Sequence, residues 1–231
     1  MGEALSLNED GSRVAFWASW GAETFQKTLV CPVDGNPDII AYCNLIHPTG
    51  LVVEIPVNQG VFVYDLDTDT THRVARTLQE GIEDFMFWGF SGRAPDAGGS
   101  IEPGTELARW RAGTFAALHS PPGSSGQVVF KAKRRSLDGL YLREGIVNGF
   151  PLRTVAEVGT TTGTSVDPLA PAGSFVSAVG VERDGFRGGR LSVTLSMLYV
   201  DPLDPENTLG WAGIYVAPIA EDGLFRNGFE G

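Results

Sequence analysis

GVFVYDL (Gly60–Leu66) returns as GLYLREG (Gly139–Gly145) and again as GIYVAPI (Gly213–Ile219), each a glycine followed by alternating aliphatic and aromatic residues. Alternation at a period of two puts Val61 and Val63 on one face of a strand and Phe62 and Tyr64 on the other. Working outward, THRVAR (Thr71–Arg76) follows the first copy and LRTVAEVG (Leu152–Gly159) the second. A second strand type precedes each copy: SRVAFWAS (Ser12–Ser19), GQVVFKAK (Gly126–Lys133) and GRLSVTLS (Gly189–Ser196). A third type precedes those, around Leu5, at TFAALHS (Thr114–Ser120) and at SFVSAVGV (Ser174–Val181).

The repeating unit is therefore strand, turn, strand, linker, glycine-started strand, turn and return strand. Three units begin near residues 4, 114 and 174. The first is lengthened by two insertions, about 22–58 and 89–113, and the third lacks a return strand. Helical periodicity is nearly absent, and 30 Gly and 14 Pro punctuate the short apolar runs, so the expected class is all-β. Tandem four-stranded units predict a β-propeller-like array of about three blades, the last incomplete. It would form one domain over 1–220 with a tail at 221–231. Propellers use about 4–8 blades, so closure calls for a second copy or for blades upstream of Met1.

The 231 residues carry 17 Lys+Arg against 28 Asp+Glu, a net charge of −11, and 42% are apolar, a globular composition. Such a charge repels a phosphate backbone and argues against nucleic acid as a partner. The basic run Lys131–Arg135 reads as a solvated strand end and turn. No apolar run approaches the ~18 residues that span a bilayer. The segment from Met1 has neither a basic nor an apolar region of a signal peptide. Either the protein is intracellular or Met1 is not its natural start.

Cys31 and Cys43 are close enough to form a disulfide closing a short loop, with two free thiols as the alternative; too few ligands stand nearby for zinc. A disulfide would place the chain outside the cytosol. Asp65, Asp67 and Asp69 have the spacing that opens a calcium loop, but Thr70 and Arg76 break that pattern, so a hairpin turn is expected. Asp201–Asn207 reads as a stiff acidic loop in the last linker, and Glu182–Gly189 as a salt-bridged hairpin tip. His47, His72 and His119 have no partner at a telling spacing, no nucleophile motif is present, and no catalytic residue, metal or cofactor is expected. Phe16, Trp17, Phe85, Phe87, Trp88, Phe90 and Trp211 are expected mostly in the core between blades. Trp20 and Trp110, at the edges of the insertions, could instead face solvent; with Arg109 and Arg111 beside it, Trp110 could stack on a sugar or clasp a protein.

LSLNEDGSRVAF (Leu5–Phe16) resembles the strand pair of TolB-like and WD40-like propeller repeats, and the longer unit is similar to repeats of exported bacterial propeller-like proteins. The closing LFRNGFEG (Leu224–Gly231) is similar to a short ending found on some exported bacterial proteins. The resemblance implies a secreted or cell-envelope protein. The reading that follows is a non-catalytic module binding a protein, glycan or surface through its inserted loops, with a polysaccharide-active hydrolase or lyase as the alternative.

Overall fold

The computed structural model describes residues 5–96, 104–147 and 149–218, without the side chains of 205–207. The first strands are β1 (Leu5–Leu7), β2 (Arg13–Ser19) and β3 (Thr24–Leu29), followed by helix α1 (Pro37–Ile46). Then come β4 (Leu51–Pro56), β5 (Gln59–Asp65), β6 (Thr70–Arg76), β7 (Ile82–Asp84), β8 (Phe87–Ser91) and β9 (Arg109–Gly113). They are followed by β10 (Ala116–His119), β11 (Gln127–Arg134), β12 (Leu137–Arg143) and β13 (Leu152–Glu157). The single turn α2 (Gly163–Val166) precedes β14 (Phe175–Gly180), β15 (Phe186–Arg187), β16 (Arg190–Asp201) and β17 (Asp204–Pro218). The protein is all-β, in several antiparallel sheets, none of them closed.

The chain divides into two compact units, the larger made of residues 3–19, 58–85 and 114–231, the smaller of 20–57 and 86–113. In the larger unit, one sheet has the order β1-β2-β5-β6 and the next β10-β11-β12-β13, with β7 paired to the end of β11. The third joins β14 and β15 to β16, and β16 to β17. The strands quoted from the repeat thus fall in equivalent places of three antiparallel meanders.

Gly60, Gly139 and Gly213 share a physical reason. A Cβ on Gly60 would stand 3.0 Å from the Phe62 ring and 2.8 Å from the Ala75 carbonyl oxygen. On Gly139 it would meet the Tyr141 hydroxyl at 2.7 Å, and on Gly213 the Tyr215 ring at 3.2 Å. The aromatic two residues on folds back over the bare glycine, so the ring covers backbone that a side chain would otherwise cover. That close approach is what the Gly-x-aromatic pattern records.

Burial follows from where each sheet lies. Val61 and Val63 on β5 are buried, and Phe62 stacks on Phe16 across the strand pair on the opposite face, centroids 5.7 Å apart. The middle sheet is buried on both faces. Ala116, Leu118, Val128, Phe130 and Tyr141 pack with Val61, Val63, Val74 and Phe85. Ala117, Val129, Leu140 and Leu142 pack with Val176, Phe186, Leu191 and Leu195 of the third sheet. A strand covered on both sides has no polar face, which is why Leu140, Tyr141 and Leu142 are all buried.

Several expectations are corrected. The first insertion contains a helix: Asn36 accepts the Asp38 backbone N–H at 2.9 Å and Pro37 opens α1, a cap and first turn that hold ten residues free of glycine. Asp201–Asn207 is the closed end of the β16–β17 hairpin and not a free linker loop: Asp201 pairs with Asp204 across Pro202 and Leu203, and the register then shifts to Val200↔Thr208. The basic run is more than a solvated end. Lys131 lies 5.6 Å over the Phe115 ring and Arg134 5.5 Å over that of Tyr141, and burial pulls the Lys131 ammonium below its usual range against the attraction of Asp138. Its turn residues Arg135 and Ser136 both have positive φ, 49° and 67°, the backbone of a two-residue hairpin turn.

Candidate binding surfaces

The smaller unit is built around a disulfide. Cys31, just after β3, is bonded to Cys43 in α1, their Cα atoms 5.8 Å apart. Around it the unit's buried cluster is small: Cys31, Cys43, Phe90 and Ala108, with Ile39, Tyr42 and Trp110 packed against them. Phe90 comes from β8 and Ala108 lies next to β9, so the two insertions, far apart in sequence, share one core. Phe90 meets Trp110 edge-on at 5.4 Å and His47 edge-on at 6.1 Å. Phe90 therefore lies in the smaller unit's own core, while Phe85 is buried in one of the two large clusters of the larger unit and Trp17 and Trp211 pack against them.

Outside this core the unit exposes aliphatic side chains. Val30 is 73% exposed, Val33 87% and Leu45 77%, with Ile46 also open. Val30 and Val33 flank Cys31, and Leu45 and Ile46 follow Cys43, so all four stand within three residues of a bonded cysteine. β3 and β4 form a two-stranded sheet whose exposed face carries Val52 beside a polar group: Glu54 accepts hydrogen bonds from Thr24 and Gln26, at 2.5 and 3.1 Å, which hold its carboxyl below the usual range.

The structure places Trp110 on one face of its strand and its two arginine neighbours on the other. In the β8–β9 pair Trp110 stands opposite Phe90 and turns to the disulfide core, while Arg109 and Arg111, its neighbours in β9, take the other face. Both guanidiniums go to Glu106, at 2.6 and 2.8 Å, with Arg111 the stronger influence in lowering its carboxyl pKa. Trp20 is exposed in the turn after β2.

In the larger unit the acidic repeat is a hairpin turn. The Asp65 Oδ2 accepts Arg13 Nε at 2.7 Å, and Oδ1 accepts the backbone N–H groups of Asp67 and Thr68, each at 3.1 Å. Asp69 accepts the Tyr64 hydroxyl. Asp184 pairs with Arg187 at 2.7 Å in the other charged hairpin. His119 Nδ1 is bonded to Glu9, whose second oxygen accepts the Ser120 backbone N–H. Burial pushes the Glu9 carboxyl up, but these bonds and its own backbone N–H together hold it below its usual range.

One feature of the larger unit was not visible in the sequence. A cleft of about 600 Å³ is lined by Arg73, Val74 and Ala75 of β6, Gln79 and Glu80 of the following turn, Arg143 at the end of β12, and Gly149, Phe150 and Pro151 before β13. Arg143 is buried and fully engaged: its Nε donates to the Val74 carbonyl at 3.0 Å, Nη1 to the Phe150 carbonyl at 2.7 Å, and both Nη atoms to Glu80. The one sequence signal was Arg143 directly after the apolar run of GLYLREG, a charged residue where a strand buried on both faces calls for an apolar one. Compared with known proteins, the chain matches no family model, no curated sequence and no solved structure.

Proposed function

We propose that the protein is a non-catalytic binding module of propeller-like build, working at the cell envelope or outside the cell, that docks a protein partner through its disulfide-stapled smaller unit. The observation that carries this reading is the group of exposed aliphatic side chains, Val30, Val33, Leu45 and Ile46, each within three residues of a cysteine of the Cys31–Cys43 disulfide. A small core that leaves such residues open to water favours contact with another apolar surface over contact with a sugar. The disulfide supports an oxidising compartment. Three successive antiparallel meanders packed face to face support the propeller-like part, and the repeat's likeness to TolB-like and WD40-like units agrees with it.

Photo-crosslinking tests it. A photoreactive residue at position 45 is expected to give a discrete protein adduct on cells of the source organism, and the same group at Leu66, exposed in the larger unit, is not. Equal adducts from both positions, no adduct from position 45, or polysaccharide turnover lost on changing one carboxylate would each overturn the reading.

A further inference from the structure

We propose that the cleft between β6 and the β12–β13 loop binds an acidic sugar residue, a hexuronate, with its carboxylate on Arg73 and its ring against Phe150. This site lies in the larger unit and stands independently of the docking surface proposed above.

Two arginines line the cleft, and they differ in what they already hold. Arg143 is satisfied by two carbonyl oxygens and by Glu80, and it acts as a brace: Val74 belongs to one wall and Phe150 to the other, so a single buried guanidinium fixes their separation. Arg73 lines the same cleft, and while its backbone pairs with Phe62 in the β5–β6 ladder, its guanidinium has no hydrogen-bond or ion-pair partner among the described residues. Glu80 is paired with Arg143, so its charge is cancelled locally and the uncancelled charge in the cleft is that of Arg73. The site therefore presents one available positive charge, which suits one carboxylate.

The rest of the lining suits a hydroxylated ring. Phe150 is 37% exposed, and its ring lies so close to Gly145 that a Cβ there would fall 2.3 Å from it. Backbone behind the ring keeps it from retreating, so it offers a fixed apolar surface to the cleft. Gln79 and Glu80 bring amide and carboxylate oxygen acceptors, and Gln79 also brings donors, for hydroxyl groups. A purely apolar ligand would give the Arg73 guanidinium no acceptor. The volume, about 600 Å³, falls within the roughly 300–1,000 Å³ of small-ligand sites and takes one to two sugar rings.

The test is titration of the full chain with trigalacturonate, followed by calorimetry and by backbone amide shifts, beside galactotriose as the neutral probe. Binding of trigalacturonate is expected to weaken with added salt and to exceed that of galactotriose by about tenfold, the scale of one charge-assisted contact. R73Q should lose that preference while melting at the wild-type temperature, because the Arg73 guanidinium holds nothing else in the fold. F150A should weaken both sugars, and R183A, an exposed arginine elsewhere, should change neither. Shifts should centre on residues 73–80 and 149–151. No binding of trigalacturonate at ~10 mM, where a contact worth about 3 kcal/mol would register, overturns the proposal. So does equal binding of the two sugars, or an R73Q variant that binds as the wild type does.

Discussion

Arg13 and Asp65 show how much one pair can organise. They lie on neighbouring strands, β2 and β5, in register opposite each other. Arg13 Nη1 also donates to Ser120 Oγ at 2.6 Å and to the Ser124 carbonyl at 3.1 Å, so the guanidinium ties the first sheet to the second. Asp65 is buried, and the Arg13 hydrogen bond holds its carboxyl below the usual range against the opposing effect of burial, with the Thr68 N–H adding to the lowering. A depressed folded-state pKa means that the stabilisation is present above the unfolded value, about 3.9, and is lost as pH falls through the folded one. D65N is expected to cost about 2 kcal/mol near neutral pH, since it removes one partner of a buried pair. In urea unfolding the gap between wild type and D65N should close below about pH 4. A gap of the same size at pH 3 and pH 7 would show that packing, and not charge, sets the cost. The sequence marked Asp65 only as the start of an acidic turn, because its partner stands 52 residues earlier and pairing of that range leaves no local pattern.

At the scale of elements, the smaller unit has few buried side chains to hold a helix and two hairpins, so its cohesion should rest on the disulfide. Closing the loop between Cys31 and Cys43, 12 residues apart, restricts the unfolded chain by roughly 3 kcal/mol on the chain-entropy account. Replacing both cysteines with alanine should accelerate amide exchange within residues 20–57 and 86–113 and leave the larger unit's strands as protected as before. Uniform acceleration across the chain would mean that the two units unfold as one. The strands of the larger unit were legible because their signals are local: alternation in GVFVYDL, the glycine under its own aromatic, the turn residues between runs. Helix α1 had a local signal as well, Asn36-Pro37-Asp38 ahead of an uninterrupted ten-residue stretch, but the surrounding Gly and Pro masked it. The joining of the two insertions was not legible, since Phe90 and Ala108 reach the disulfide through space and nothing in their spacing says so.

For the larger unit as a whole, the stack of sheets leaves one edge to account for. The middle sheet is covered on both faces, and the first and third each pack one face against it. The third sheet has four strands and ends in β17, which among the described residues pairs only with β16. β17 runs from Asp204 to Pro218, and Ile214, 75% exposed, sits at the level of Thr194 in the middle of the ribbon. A long strand at the end of its sheet that carries an outward isoleucine is the kind of strand that acquires a partner. The expected outcome for the chain by itself is therefore a dimer in light scattering, formed edge to edge along β17. I214K should shift it toward the monomer while leaving the melting temperature within a few degrees, because a charge on an edge opposes strand pairing without touching a core. Amide exchange in the wild type separates the sources of cover. A wild type that is monomeric at micromolar concentration, with slow amide exchange along the outer edge of β17, would place the covering strand within this chain. Fast exchange in a monomer would instead leave the edge open to a strand from another molecule.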